Sequence, residues 1–195
     1  MTNDSHDLFR QVAGNMSAVA DSAFPASIGR VVDLLHEAFT SGRKLLVFGN
    51  GGSSADAQHF TAELVGRFTV ERRALPAIAL TTNQAVLTAW SNDYSFEDVF
   101  ARQIDALGLQ GDVAFGISTS GTSANVVNAL QRARDRGLRT VGLTGTGGGR
   151  MAPLCDVLLA VPLTTTARIQ EVHLVTYHAI CAGIEARLAE SAASR

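Results

Sequence analysis

The stretch Leu45-Leu46-Val47-Phe48-Gly49-Asn50-Gly51-Gly52-Ser53-Ser54 constrains this chain more than any other. The apolar run has the length of a buried parallel strand, the glycine turn stops it, and a helical pattern starts at the serines. A second unit repeats the design: an apolar run over 112–117, the loop Ser118-Thr119-Ser120-Gly121-Thr122-Ser123, and a helical pattern over 124–136 that Gly137 stops. Further short apolar runs at 76–81, 139–143 and 157–161 alternate with helical patterns at 84–89, 96–107 and 166–190, with a turn at Ser91-Asn92-Asp93-Tyr94. Strands alternating with helices need right-handed crossovers and a mostly parallel sheet covered on both faces. The expected fold is therefore an α/β three-layer sandwich. Its core spans about 44–190, and helices over about 7–40, interrupted near Pro25, lie outside the βαβ framework. No linker, low-complexity tract or tandem repeat divides the 195 residues, so one domain over 1–195 is expected.

Composition narrows the partners. Acids and bases are interspersed with a formal net charge of −2, which leaves no basic stripe for nucleic acid or an anionic membrane. Cys155 and Cys181 are too few and too far apart in sequence for a disulfide framework or a cysteine metal site, and read as small apolar residues. The N-terminal stretch is polar and acidic where a signal peptide is basic and then apolar, and no apolar run has the length of a bilayer span. A cytoplasmic protein is the expectation.

In parallel sheets of this kind, ligands bind at the carboxyl ends of strands, where both special loops fall. In the first loop the glycines allow close backbone approach, Ser53 is expected to cap the helix with Asp56 three positions on, and the free first-turn N–H groups favour an anion. His59 and Glu63 then share a helix face one turn apart. The dinucleotide pattern GxGxxG fails because Ser54 replaces the third glycine, and the Walker pattern fails for want of GK[ST]. The second loop offers five hydroxyls in six residues at a helix start, with no lysine or arginine. Such a neutral cradle suits a phosphate monoester better than a triphosphate. The glycines over 145–149 read as a flexible connection. The last helix carries Gln170, Glu171, His173 and His178. A histidine among apolar neighbours is usually a satisfied core residue. Gln170 and His178 lie about 12 Å apart along an ideal helix, so they reach one ion only by converging, or with help from a second subunit.

Together, Gly49-Asn50-Gly51-Gly52-Ser53, Gln58-His59 with Glu63, Gly66-Arg67-Phe68, Leu75-Pro76-Ala77-Ile78-Ala79-Leu80, Asn92-Asp93, Gly116-Ile117-Ser118-Thr119-Ser120-Gly121 and Ala167-Arg168-Ile169-Gln170-Glu171-Val172-His173 resemble the phosphoheptose isomerases of the sugar-isomerase (SIS) domain superfamily. The resemblance runs in order from about Asp7 to Glu190. It implies a five-stranded parallel sheet between helices, a homotetramer with active sites at subunit boundaries, and isomerisation of sedoheptulose 7-phosphate. It further implies one zinc ion per site on His59, Glu63, Gln170 and His178, with Glu63 and His178 as the acid/base pair. Ser53, Ser118, Thr119, Ser120 and Ser123 match phosphate-holding positions; Asn50, Gly51, Gly52, Arg67, Asn92 and Asp93 match positions that contact or shape the sugar site. The chain departs from the family's usual residues at Asn83, Trp90-Ser91 and Thr122, and Ala167 matches only some members. A bulky Trp90 beside Asn92-Asp93 bears on which sugar fits, although packing against the sheet is the simpler reading.

Aldose–ketose interconversion needs a base that removes a proton beside a carbonyl and a group that serves the oxygens. Glu63 is expected in the first role and His178 in the second, with the tension that a carboxylate bound to zinc is a weaker base. The same domain also occurs in sugar-phosphate-sensing regulators and in a replication-initiator-associating protein. The latter resembles this chain but lacks the glutamate and the final histidine, whose presence here favours an enzyme. Another phosphosugar as substrate, or a secondary-metabolite pathway as destination, stays open at this point.

Overall fold

The structure, a computed structural model, describes residues 4–193. Its elements run α1 (Ser5–Ala20), α2 (Phe24–Thr40), β1 (Leu45–Gly49), α3 (Gly52–Val65), β2 (Ala77–Ala79), α4 (Gln84–Asp93), α5 (Val99–Leu107), β3 (Val113–Ser118), α6 (Ala124–Asp135), β4 (Arg139–Thr144), β5 (Val157–Ala160) and α7 (Thr166–Ala193). Five strands form one sheet in the order β2-β1-β3-β4-β5, all neighbours parallel. The three-layer sandwich read from the sequence is thus present.

Alternation along the central strands sorts the core into two layers, because successive side chains point to opposite faces. Leu45, Val47, Val113, Phe115, Ile117, Val141 and Leu143 face α2, α3 and α7, where Leu35, Phe60, Tyr177 and Ile180 are fully covered. Leu46, Phe48 and Ala114 face α5 and α6, with Phe100, Ile104 and Leu130. Among the described residues no helix is long and apolar enough to cross a membrane.

The strand order changes direction at β1, which has β2 on one side and β3 on the other. The loops after β1 and β3 therefore flank the switch point, where a crevice opens in doubly wound sheets. Register brings their starts side by side, Gly49 opposite Ile117.

Three local readings change. Ser53 does not cap α3; the cap is Gly51, at φ 55°, a conformation that favours glycine. The helix thereby starts two residues earlier and carries Ser53 inside, 4% exposed. Ser91-Asn92-Asp93 is helix rather than turn. The Asn83 side chain caps α4 by accepting from Val86 N–H, Ser91 Oγ donates back to Leu87 C=O, and the helix runs to Asp93. The glycines at 145–149 are not a loose connection: Gly145 N–H donates to Thr119 C=O at 3.0 Å and Met151 N–H to Gly121 C=O at 3.0 Å. The left-handed Gly121 (φ 66°) packs so closely on Gly148 C=O that a Cβ there has no room. This third loop buttresses the hydroxyl loop from behind.

Candidate functional site

The hydroxyl loop is internally tied. Ser118 Oγ lies 3.0 Å from Ser123 Oγ and 3.4 Å from Ser120 Oγ, and Ser120 Oγ accepts from both the N–H and the hydroxyl of Thr122. Each hydroxyl keeps further lone pairs or a rotatable proton, so the cluster presents several donors at the start of α6. Thr119 is half-buried beside it.

The two loops are stapled to each other by a pair absent from the sequence reading. Asn50 Nδ2 donates to Asn125 Oδ1 at 2.8 Å, and Asn125 Nδ2 donates to Asn50 Oδ1 at 2.9 Å. Asn125 is 3% exposed, and breaking the reciprocal amides leaves buried polar atoms unpaired. Asn125→Ala is expected to cost about 1–3 kcal/mol, read as a lower urea midpoint with an unchanged m value.

Beyond the first loop, α3 and α7 bring together residues more than a hundred positions apart. His59 Nε2 is 3.0 Å from Glu63 Oε1, and the His59 and His178 rings meet edge to face with centroids 5.1 Å apart. Ligand atoms of His59, Glu63 and His178 all lie within 4.8 Å of one another. His178 Nε2 is buried without a hydrogen-bond partner, as an imidazole nitrogen reserved for an ion or a substrate proton is. Burial lowers the pKa of His178, the neighbouring His59 lowers it further, and Glu63 only partly opposes them, so the ring is held neutral as a ligand or base requires. This donor set fits a divalent metal of the zinc type. Gln170 lies across from the first loop, its amide against Gly52 where a Cβ has no room.

Several contacts around this cluster went unread in the sequence. The Tyr177 hydroxyl is 3.0 Å from His59 Nδ1, and the Phe68 ring sits 5.2 Å from the His178 ring. Asp56 is half-buried near Tyr177; burial raises its pKa, which the Tyr177 hydroxyl and His59 partly offset. A tyrosine one residue before a candidate ligand on a helix gives no periodic signal, since adjacent residues face different ways.

The remaining candidates make other contacts. Arg67 is exposed and pairs with Glu71 at 2.9 Å. Asn92 donates to Asp93 at 2.9 Å at the end of α4, away from both loops in hydrogen bonding. Trp90 packs at the edge of the second core, stacked on Tyr94 at 4.1 Å with the Arg102 guanidinium 4.7 Å from its ring centre. That is the packing reading. His173 is fully buried with Nε2 3.2 Å from Thr144 C=O, and burial lowers its pKa to about 4; it is a neutral core residue. Cys181 is buried and Cys155 partly so, and burial pushes both thiols up to about 12.

A parallel sheet with glycine- and hydroxyl-rich loops on both sides of its switch point is the arrangement expected of a sugar-isomerase class of domain. The sequence pattern of the SIS domain family matches residues 8–145, and the chain belongs to that family. Within it, the chain groups with the phosphoheptose isomerases. A curated phosphoheptose isomerase from Bradyrhizobium sp. (strain BTAi1 / ATCC BAA-1182) is 54% identical over 181 residues, 93% of this chain and 91% of the relative. The solved phosphoheptose isomerase from Neisseria gonorrhoeae superposes with a TM-score of 0.88 at 41% identity, over 93% of this chain and 97% of that one. The structure of the enzyme from Francisella tularensis gives 0.90 at 37% identity, over 94% and 98%.

Proposed function

We propose that the chain is an aldose–ketose isomerase that converts sedoheptulose 7-phosphate to D-glycero-D-manno-heptose 7-phosphate through an enediolate. The observation that carries this reading is the meeting of Glu63 and His178, 115 positions apart in sequence, in one cluster beside the first loop. A protein that only senses a phosphosugar needs the cradle but not the proton-transfer pair.

In this reading Ser53, Ser118, Thr119, Ser120 and Ser123, with the free N–H groups of α3 and α6, hold the phosphate and fix the distance of the other end of the sugar. Asn50, Gly51, Gly52, Arg67, Asn92, Asp93 and Gln170 contact or shape the sugar site. Glu63 removes a proton from C1 of the ketose, giving the enediolate, and the proton is returned to C2. His178 serves the oxygens, moving a proton from O1 to O2, and the sum is one hydrogen shifted on carbon and one on oxygen. Phe68 against His178 keeps bulk water from that ring. His59, Glu63, Gln170 and His178 are the residues that hold zinc. When bound, zinc supplies Lewis-acid stabilisation of the enediolate oxygens.

The chain works as a cytoplasmic homotetramer with sites at subunit boundaries. Exposed apolar side chains, Phe9 at 75% and Val175 at 51%, support association.

The test is incubation of the purified, zinc-supplied protein with sedoheptulose 7-phosphate in heavy water, followed by NMR. Formation of the aldose with deuterium at C2 is expected. A folded, zinc-loaded protein that binds the phosphosugar but yields neither product nor exchange is a regulator.

A further inference from the structure

We propose that Tyr177, backed by Asp56, is a positioning residue that fixes His59 with its proton on Nδ1, so that the Nε2 lone pair faces Glu63 and His178. The purpose given to this arrangement rests on the reading of that cluster as a metal centre; the tautomer itself does not.

The argument is a count of donors and acceptors. A phenol has one proton to give and lone pairs to receive, and a carboxylate can only receive. Asp56 Oδ2 is buried and makes no formed hydrogen bond, and the Tyr177 hydroxyl is a polar neighbour of that carboxylate. The same hydroxyl stands 3.0 Å from His59 Nδ1. Two proton arrangements compete. If Tyr177 gives its proton to His59, then Nε2 carries the ring proton and donates to Glu63, and Asp56 Oδ2 is left buried with no donor. If Tyr177 gives its proton to Asp56, then His59 Nδ1–H donates to the phenol oxygen, and Asp56, Tyr177 and His59 Nδ1 are all paired. In the second case the unmet need falls on Glu63.

Exposure decides between them. The Glu63 side chain is 23% exposed, so water can serve its oxygens, whereas Asp56 Oδ2 has no access to solvent. A buried unpaired charged acceptor is the costlier defect. In the favoured arrangement, His59 Nε2 and Glu63 Oε1 confront each other at 3.0 Å as two acceptors, with His178 in the same cluster. Two acceptors face to face, with a third candidate ligand in the same cluster, are a demand for a cation. An outer partner that fixes the tautomer of a ligating histidine is a usual part of such centres, and its loss typically weakens metal binding 10–100-fold.

The experiment uses the full chain labelled with 15N-histidine and freed of metal, at a pH where His59 is neutral, with its signals assigned by their loss in His59→Gln. In the wild type, His59 is expected mainly as the Nδ1–H form. Tyr177→Phe removes the phenol and is expected to return it to Nε2–H, the form Glu63 selects. His173, whose Nε2 faces Thr144 C=O, reports in the same spectrum that a variant is folded. A wild type already in the Nε2–H form overturns the inference without any variant, as does a folded Tyr177→Phe with no change. In chelator competition, zinc is expected to bind 10–100-fold more weakly to Tyr177→Phe and to Asp56→Asn. Equal affinity in both variants overturns the positioning role. A wild type that binds no zinc overturns the metal reading instead, and the nitrogen spectrum then decides the tautomer alone.

Discussion

Replacing Glu63 by glutamine is expected to lower kcat by about 10²–10⁴, the range for loss of a positioned general base, or roughly 3–5 kcal/mol of barrier. The substitution keeps the shape of the side chain, and an amide that can donate to or accept from His59 Nε2, so the fold and the phosphate cradles stay in place. What it removes is the charge that accepts the carbon-bound proton. Phosphosugar affinity, measured by calorimetry, is expected within a few-fold of the wild type, because the residues assigned to the phosphate are the serines and Thr119 at the starts of α3 and α6, and not Glu63. Deuterium exchange in heavy water should fall with kcat. Since Glu63 is also assigned to zinc, metal content must be measured on the same sample; a variant that keeps its zinc and loses exchange separates the base from the ligand. A kcat within tenfold of the wild type, at full metal content, removes Glu63 from the proton transfer.

Features with a local cause were legible in the sequence. Glycines ending an apolar run, followed by a helical period, gave both strand–loop–helix units, and the i, i+4 spacing put His59 and Glu63 on one face. Readings failed where two local signals compete. A serine ahead of a helix looks like a cap, yet the left-handed Gly51 takes that place and Ser53 turns inward. Consecutive glycines look loose, yet Gly147, Gly148 and Gly149 all have positive φ, and this bend fits the third loop against Gly121. What the sequence hides is any contact made only when distant elements meet. Asn125 on Asn50, Tyr177 on His59 and Phe68 on His178 are each ordinary residues in their own segments. The family resemblance names the residues of the site, but the neighbours that hold them are set by how α7 crosses α3.

The largest effect on stability is expected at a residue outside the reacting cluster, Glu185 on α7. Its carboxylate, 4% exposed, accepts from the N–H groups of Phe68, Thr69 and Val70 and from the Thr69 hydroxyl at 2.8–3.2 Å, and lies 3.2 Å from Arg72 Nε. Arg72, itself 7% exposed, donates onward to the carbonyls of Glu63, Leu64 and Gly66. One carboxylate thus ties the strap after α3 to α7, and that strap carries Phe68 to His178. Glu185→Ala leaves a buried guanidinium without its counter-charge and three N–H groups without an acceptor, a loss of about 3–5 kcal/mol. For a chain of this size that corresponds to a fall in Tm of roughly 6–20 °C. Acid gives an independent reading. Burial alone raises the Glu185 pKa, but the bonds from Phe68, Thr69 and Val70 outweigh it and leave the group below its ordinary value. A depressed folded-state pKa stabilises the protein fully above the unfolded value, about 4.3, and the contribution fades as pH falls through the folded value. The wild type should therefore lose stability steeply below about pH 4.3, and Glu185→Ala less steeply, so that the gap between their urea midpoints narrows on acidification. A gap that stays constant from neutral pH into that range shows that the carboxylate's charge does not hold the strap. The loss would then come from packing alone, and the route from α7 through Phe68 to His178 would have to be rebuilt on that basis.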